Sequence, residues 1–223
     1  MALTHNETRS NYLINQIARE LGAIVGHDQV TTDKAKRIEQ ASDWSWMSKY
    51  LLSKNEELPI ADLVVSPKST EEVSKVVAIA NEYRMPIIPR GGGSGTQSGT
   101  FALYGGIALD LKRLNKVIDI DENSMIVTVE AGLDGSELEK VLNAKGLTMP
   151  HYPGSHFFGA TIGGSLAARG SGVVSTKYGK AEDLVLQIEA VMANGTVIDT
   201  LPVPSHASGP GIIQTLVGSE GTL

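Results

Sequence analysis

Near the amino end the apolar positions recur with a helical period. In "NYLINQIARELG", Leu13, Ile14, Ile17, Ala18 and Leu21 share one face, and Gly22 reads as the stop. A polar, helix-prone stretch then runs up to "DWSWMSKYLL". After it the pattern tightens. "ADLVV" is a short strand ended by Pro67, and Ser69 with Glu72 forms a capping box. Val73, Val76, Val77 and Ala80 supply the buried stripe of the helix so capped, and "MPIIP" is a second strand. Strand, helix, strand makes a βαβ unit, and a glycine-rich run follows the second strand. Ligands in such sheets favour that end.

Beyond the glycine run the pattern changes. "GIALDL", "KVIDID" and "MIVTVEAG" are strands in quick succession without a helix between them, which predicts antiparallel pairing. Ser136 and Glu139 form a second capping box, for "SELEKVLNAKG", with Gly146 as the stop. "ATIGGSLAA" reads as a short buried helix of small residues. "LVLQIEAVMANGTVIDT" reads as a hairpin turning at Asn194-Gly195. The expected class is α+β. A helical extension over 1–58 precedes a domain over 59–223, divided into a βαβ subdomain (59–100) and a more antiparallel one (101–223).

Composition narrows the function classes. The 223 residues are 41% hydrophobic, which suffices for a real core. A net charge of -6 without a dense Lys/Arg run argues against nucleic acid as a partner. The absence of cysteine excludes disulfides and thiolate-held metals within the chain. "MALTHNETRSNYLINQIARE" is too polar for a secretory signal, and no apolar run reaches membrane-spanning length. A cytoplasmic protein without a membrane span is expected.

The candidate chemistry lies in "PRGGGSGTQSG", Pro89 to Gly99, with five glycines in eleven residues. Such a segment is costly to order, and it suits either a backbone cradle for phosphates or a wide turn. The dinucleotide fingerprint GxGxxG fails, because Thr96 stands where the third glycine belongs. The Walker and GxSxG patterns are absent too. Two further small-residue stretches, "YPGSHFFGATIGGSLAARGSG" and "LVGSEGTL", point to one extended ligand threaded between two subdomains.

In their order these motifs resemble the FAD-binding domain of the vanillyl-alcohol-oxidase flavoproteins, the PCMH-type fold. The nearest branch holds D-lactate and glycolate dehydrogenases and alkyldihydroxyacetonephosphate synthase. The resemblance rests on "PKSTEEV", "PRGGGSGT", "ATIGGSLAARGSG", "YGKAEDLVLQIEAVMANGTVI" and "GSEGTL". It implies two α+β subdomains with FAD in the cleft between them. Within Pro89 to Thr96, residues Arg90, Gly91, Gly92, Gly93, Ser94 and Gly95 would wrap the pyrophosphate, mainly through backbone amides. Pro153, Gly154, Ser155, Thr161, Gly163 and Gly164, with Ala160 beside them, would line the flavin and ribityl side. Arg169 and Ser171, flanked by Ala168 and Gly170, stand where the family touches the cofactor, and Glu220, Gly221 and Thr222 open its last motif. On this reading a β-carbon at Gly92 or Gly93 obstructs the ligand, and Gly93→Ala weakens FAD while barely shifting the melting of the apo form.

The resemblance implies an oxidoreductase that passes hydride from a 2-hydroxy acid or similar small alcohol to flavin. The alternatives are a synthase-like transferase using FAD without net redox, and a non-enzymatic binding module. Ser94 occupies the slot where several relatives carry a flavin-linked histidine, so FAD is expected to be noncovalent. The family continues into a cap domain with the substrate pocket, whereas this chain stops inside the last motif. An inactive fragment is therefore expected, with no catalytic residue named and any homodimer formed through the cap. His151 and His156 match no metal spacing and are expected in loop packing or a flavin hydrogen bond, so no metal is assigned. Trp44 and Trp46 are expected to pack, and Glu71 and Glu72 to complement a helix dipole.

Overall fold

The computed structural model describes residues 10–204 and 206–223; residues 1–9, part of the stretch read as lacking a signal, lie outside them. Helix α1 (Asn11–Val25) starts at Ser10, whose hydroxyl accepts the Leu13 N–H at 3.3 Å. Its buried face carries Ile14, Ile17, Leu21 and Val25. The expected stop at Gly22 is overrun. Gly22 lies inside the helix, where the His27 ring covers it, and the chain leaves at Gly26, with φ 99. Strand β1 (Val30–Thr31) and helices α2 (Lys34–Ala41) and α3 (Trp46–Ser53) complete the amino-terminal part.

Strand β2 (Leu63–Val65), helix α4 (Thr70–Glu82) and strand β3 (Ile87–Arg90) form the expected unit. Ser69 Oγ accepts the Glu72 N–H at 3.2 Å, but the Glu72 carboxylate accepts from the Lys68 N–H at 2.8 Å, one residue before the cap. Antiparallel pairing does not begin after the glycine run. Strand β4 (Ile107–Asp110) lies between β2 and β3, parallel to both, in a four-stranded sheet ordered β1-β2-β4-β3. The physical reason is visible in its side chains. Ile107 and Leu109 enter the core beneath α1 and α4, while Ala108 faces Ala61, Val64 and Ala102 on the other side. A central parallel strand is apolar on both faces, and "IAL" is such a run.

Antiparallel pairing starts at β5 (Val117–Asp121) with β6 (Ile126–Val129). Helix α5 (Gly135–Asn143) covers this hairpin with Leu138 and Leu142, joined by Leu133. Its cap is Asp134, not Ser136: the Asp134 carboxylate accepts the Ser136 N–H at 2.7 Å. The Glu139 carboxylate, instead of closing a box, accepts the Met149 N–H at 3.2 Å. Gly146, with φ +73, ends the helix region as expected. Short helices α6 (Ile162–Ala167), α7 (Ser175–Tyr178) and α8 (Ala181–Leu184) follow, then strands β7 (Glu189–Val191) and β8 (Val197–Asp199) and helix α9 (Ile212–Leu216). The β7–β8 turn spans Met192 to Gly195 and docks on α4, where the Ser74 hydroxyl donates to the Gly195 carbonyl at 2.6 Å. Among the described residues no helix is long and apolar enough to cross a membrane.

Candidate functional site

The glycine loop leaves the sheet at the C-terminal end of β3. The backbone N–H groups of Gly91, Gly92, Gly93, Ser94 and Gly95 donate to no acceptor among the described residues. Gly91 to Ser94 are half-buried, where amides without partners are unusual in folded chains, and Gly95 is exposed. The loop itself is tightly held. A β-carbon on Gly92 would overlap the Gly159 carbonyl, and one on Gly91 would overlap the Thr161 hydroxyl. Gly93 has φ +69, and a β-carbon there would meet the Arg90 guanidinium. Alanine at Gly92 or Gly93 therefore strains the fold before any ligand arrives, which corrects the expectation that Gly93→Ala would barely shift the melting of the apo form. Only at Gly95 is the space around a β-carbon open within this run, and there φ is not positive.

The second segment is pressed against the first. Pro153 precedes a 3-10 turn over Gly154–Phe158 that ends at Gly159 in the left-handed region. Ala160 and Thr161 are buried, and Thr161 Oγ1 caps α6 by accepting the Gly164 N–H at 3.2 Å. The Gly163 N–H donates to the Ala131 carbonyl at 2.7 Å. The amides of Gly163 and Gly164 are thus already engaged, and a β-carbon on Gly163 would meet Ala131. The amides of Gly154 and Ser155 have no acceptor among the described residues.

The third segment closes on both. The Gly218 and Glu220 N–H groups donate to the Leu166 and Ala167 carbonyls at 3.0 Å each, and Gly221 sits against the Pro89 ring. The Arg169 guanidinium donates to the carbonyls of Gln214 at 2.9 Å and Val217 at 2.8 Å, at the end of α9. Arg169 is therefore a clamp on the third segment. Gly170 is held by its N–H to the Ser165 carbonyl at 2.8 Å, Ala168 caps α6, and Ser171 is exposed. Three stretches separated in sequence meet at one place. A cleft of about 560 Å³ adjoins Gly159 and Thr161 and is also lined by Lys112, Asn115, Asp134 and Glu137, which the sequence did not single out. These four are ordinary polar residues whose spacing carries no pattern.

His151 is 3% exposed, and its ring centroid lies 5.7 Å from that of His156. Both nitrogens of His151 and Nε2 of His156 are buried without partners. Burial, and for His151 the neighbouring imidazole, holds both rings below the ordinary histidine range; Asp134 and Glu139 oppose this at His156. Among the described residues no group of three or more His, Asp or Glu could hold a metal ion. Trp44 packs on Phe158 with centroids 4.2 Å apart, whereas Trp46 is 70% exposed beside Tyr50.

A run of free amides on a loop of small residues suits the oxygens of a diphosphate, and so fits a dinucleotide cofactor. Comparison with known proteins agrees. Residues 61–201 match the FAD binding domain family, and the chain belongs to that family of PCMH-type flavoprotein domains, with FAD as its cofactor. It is 36% identical over 163 residues to the glycolate oxidase subunit GlcD of Bacillus subtilis, covering 73% of this chain and 34% of that protein. It is 39% identical over 165 residues to the mitochondrial D-lactate dehydrogenase [cytochrome] of Arabidopsis thaliana, covering 74% and 29%. A solved alkyldihydroxyacetonephosphate synthase superposes with a TM-score of 0.85 at 32% identity, over 94% of this chain and 38% of that one. The chain spans about a third of the length of these relatives.

Proposed function

We propose that this chain is the FAD-holding part of a flavin-dependent oxidoreductase acting on a 2-hydroxy acid of the D-lactate or glycolate type. The observation that carries the reading is the run of unpartnered amides from Gly91 to Gly95, in a loop packed against Gly159 and Thr161. When bound, FAD supplies the acceptor for the substrate hydride. The protein's part is to grip the diphosphate with these amides and to seat the rest of the cofactor along Pro153–Ser155 and Thr161. Arg169 and Glu220–Thr222 support that seat from the third segment. The reading includes noncovalent FAD, a small-molecule substrate, a cytoplasmic setting and dimerisation through a cap domain. It divides the chain into a helical extension over 1–58 and a cofactor domain over 59–223.

The second reading is a transferase that uses FAD without net redox, favoured by the likeness to the synthase structure. The two separate in one experiment on the full protein that carries this chain. Mixed anaerobically with D-lactate or glycolate, the holoprotein should lose its oxidised-flavin absorbance under the first reading. Retained absorbance with both acids, together with replacement of the acyl group of an acylated dihydroxyacetone phosphate by an added long-chain alcohol and release of the free acid, would replace it with the second.

A further inference from the structure

The strongest unassigned feature is the junction between α2 and α3, residues 40–48, which precedes the family match at residue 61. It is tied to the glycine loop at four points. The Trp44 N–H donates to the Gly95 carbonyl at 2.9 Å, and Arg90 Nη2 donates to the Ser42 carbonyl at 3.3 Å. The Ser98 hydroxyl donates to Ser45 Oγ at 2.9 Å, and the Thr100 hydroxyl to the Ala41 carbonyl at 2.8 Å. A fifth tie reaches the sheet: Gln40 Nε2 donates to Asp110 at 3.0 Å.

The junction is built around Asp43. Its Oδ1 accepts from the Ser45 N–H at 3.0 Å and from the Ser45 hydroxyl at 2.6 Å, which turns the chain into α3 and aims Ser45 at Ser98. Ser45 and Ser48 are each 1% exposed. Among the described residues, three of the eight buried side-chain polar atoms without a partner are here, Gln40 Oε1, Asp43 Oδ2 and Ser48 Oγ, and a fourth, Arg90 Nε, belongs to the arginine that bonds Ser42. A core chosen only for stability would replace such atoms with apolar ones, because each stays desolvated without a hydrogen bond. The Trp44 ring meanwhile packs on Phe158 of the second segment, so one residue touches both walls of the site.

We infer that residues 40–48 are a strap that positions the diphosphate-binding loop, with Asp43 as its positioning residue. The inference rests on the FAD reading above. Close packing fixes Gly91 to Gly93 against the second segment, and the strap fixes the rest of the loop, through the Gly95 carbonyl and Ser98, in the shape that leaves its amides unpartnered. Preorganised donors bind an anion better than donors that must first be ordered.

The test is FAD titration of the chain, followed by flavin fluorescence, beside thermal melting of the apo form. Asp43→Ala removes both bonds to Ser45 and should weaken FAD at least about fivefold at a temperature where the variant is fully folded. Asp43→Asn keeps an acceptor oxygen and should stay within about twofold of the unaltered chain. ADP, which shares the diphosphate, should show the same ordering. Ser98→Ala, which removes a single hydroxyl outside the junction, should weaken FAD about threefold and covers the case in which Asp43→Ala does not fold. FAD affinity unchanged in Ser98→Ala, or in a folded Asp43→Ala, overturns the strap while leaving the FAD reading intact. Failure of the unaltered chain to bind either FAD or ADP would instead refute the FAD reading, and the strap with it.

Discussion

Gly92 lies against the carbonyl of Gly159, with no room for a β-carbon between them. This one approach joins the first glycine segment to the second and sets the floor of the site. It also separates two uses of glycine that look alike in the sequence. Gly92 and Gly93 are required by the fold, Gly92 for the backbone contact and Gly93 for its φ of +69. Gly95 is required by neither.

Alanine substitutions should therefore split the loop. Gly92→Ala is expected to cost the apo form about 2 kcal/mol by overpacking, a fall of roughly 4–8 °C in melting temperature for a chain of this size. Gly95→Ala should leave the apo melt within about 1 °C. Its β-carbon stands beside an amide in the cradle, so FAD affinity should still fall about tenfold. Calorimetry of the two apo variants and FAD titration of Gly95→Ala check both halves.

Arg169→Ala should loosen the third segment without touching the first. Two charge-assisted bonds to the Gln214 and Val217 carbonyls are lost. Because the side chain is more than a third exposed, the expected global cost is only about 1 kcal/mol. The local effect is larger. Amide hydrogen exchange at Gly218 and Glu220, whose N–H groups bond Leu166 and Ala167, should accelerate well before exchange in β2 and β4. Equal acceleration everywhere would contradict the clamp.

The histidine pair predicts a pH dependence. Burial lowers the pKa of both His151 and His156 in the folded state, so the unfolded chain binds more protons between the two values. Their neutral forms are fully tolerated above the unfolded value of about 6.5, and stability is lost as pH falls below it toward the folded pKa. The melting temperature should drop between pH 7 and pH 5. A His151→Gln, His156→Gln variant should show a smaller drop, after allowing for its lower starting stability.

Much of this was legible in the residues, and the misses have physical causes. Ser69, Val73, Val76 and Val77 marked α4 because a cap and a stripe are local signals. The three small-residue segments marked the site because glycine density survives without knowledge of pairing. The position of β4 was not legible, since "GIALDL" follows the glycine run in sequence but pairs with β2 and β3 by long-range contacts. Asp134 displaced Ser136 as the cap of α5 because both are good caps two positions apart, and the entry of the chain decides between them. Gly163 and Gly164 read as cofactor-side glycines, and what the sequence did not show is that their amides bond Ala131 and Thr161 within the protein. The role of Asp43 left no sequence mark, because its partners are Ser45 and, through it, Ser98.

The central claim is that the free amides of Gly91 to Gly95 hold the diphosphate of FAD. Amide-resolved NMR of the isotopically labelled chain, titrated with FAD and then with ADP, tests it most directly. The amide protons of Gly91, Gly92, Gly93, Ser94 and Gly95 should shift downfield together and saturably with both ligands. Those of Gly163 and Gly164, already bonded to Ala131 and Thr161, should move little. Saturable FAD binding that leaves the 91–95 amides where they are in the apo chain would contradict the account.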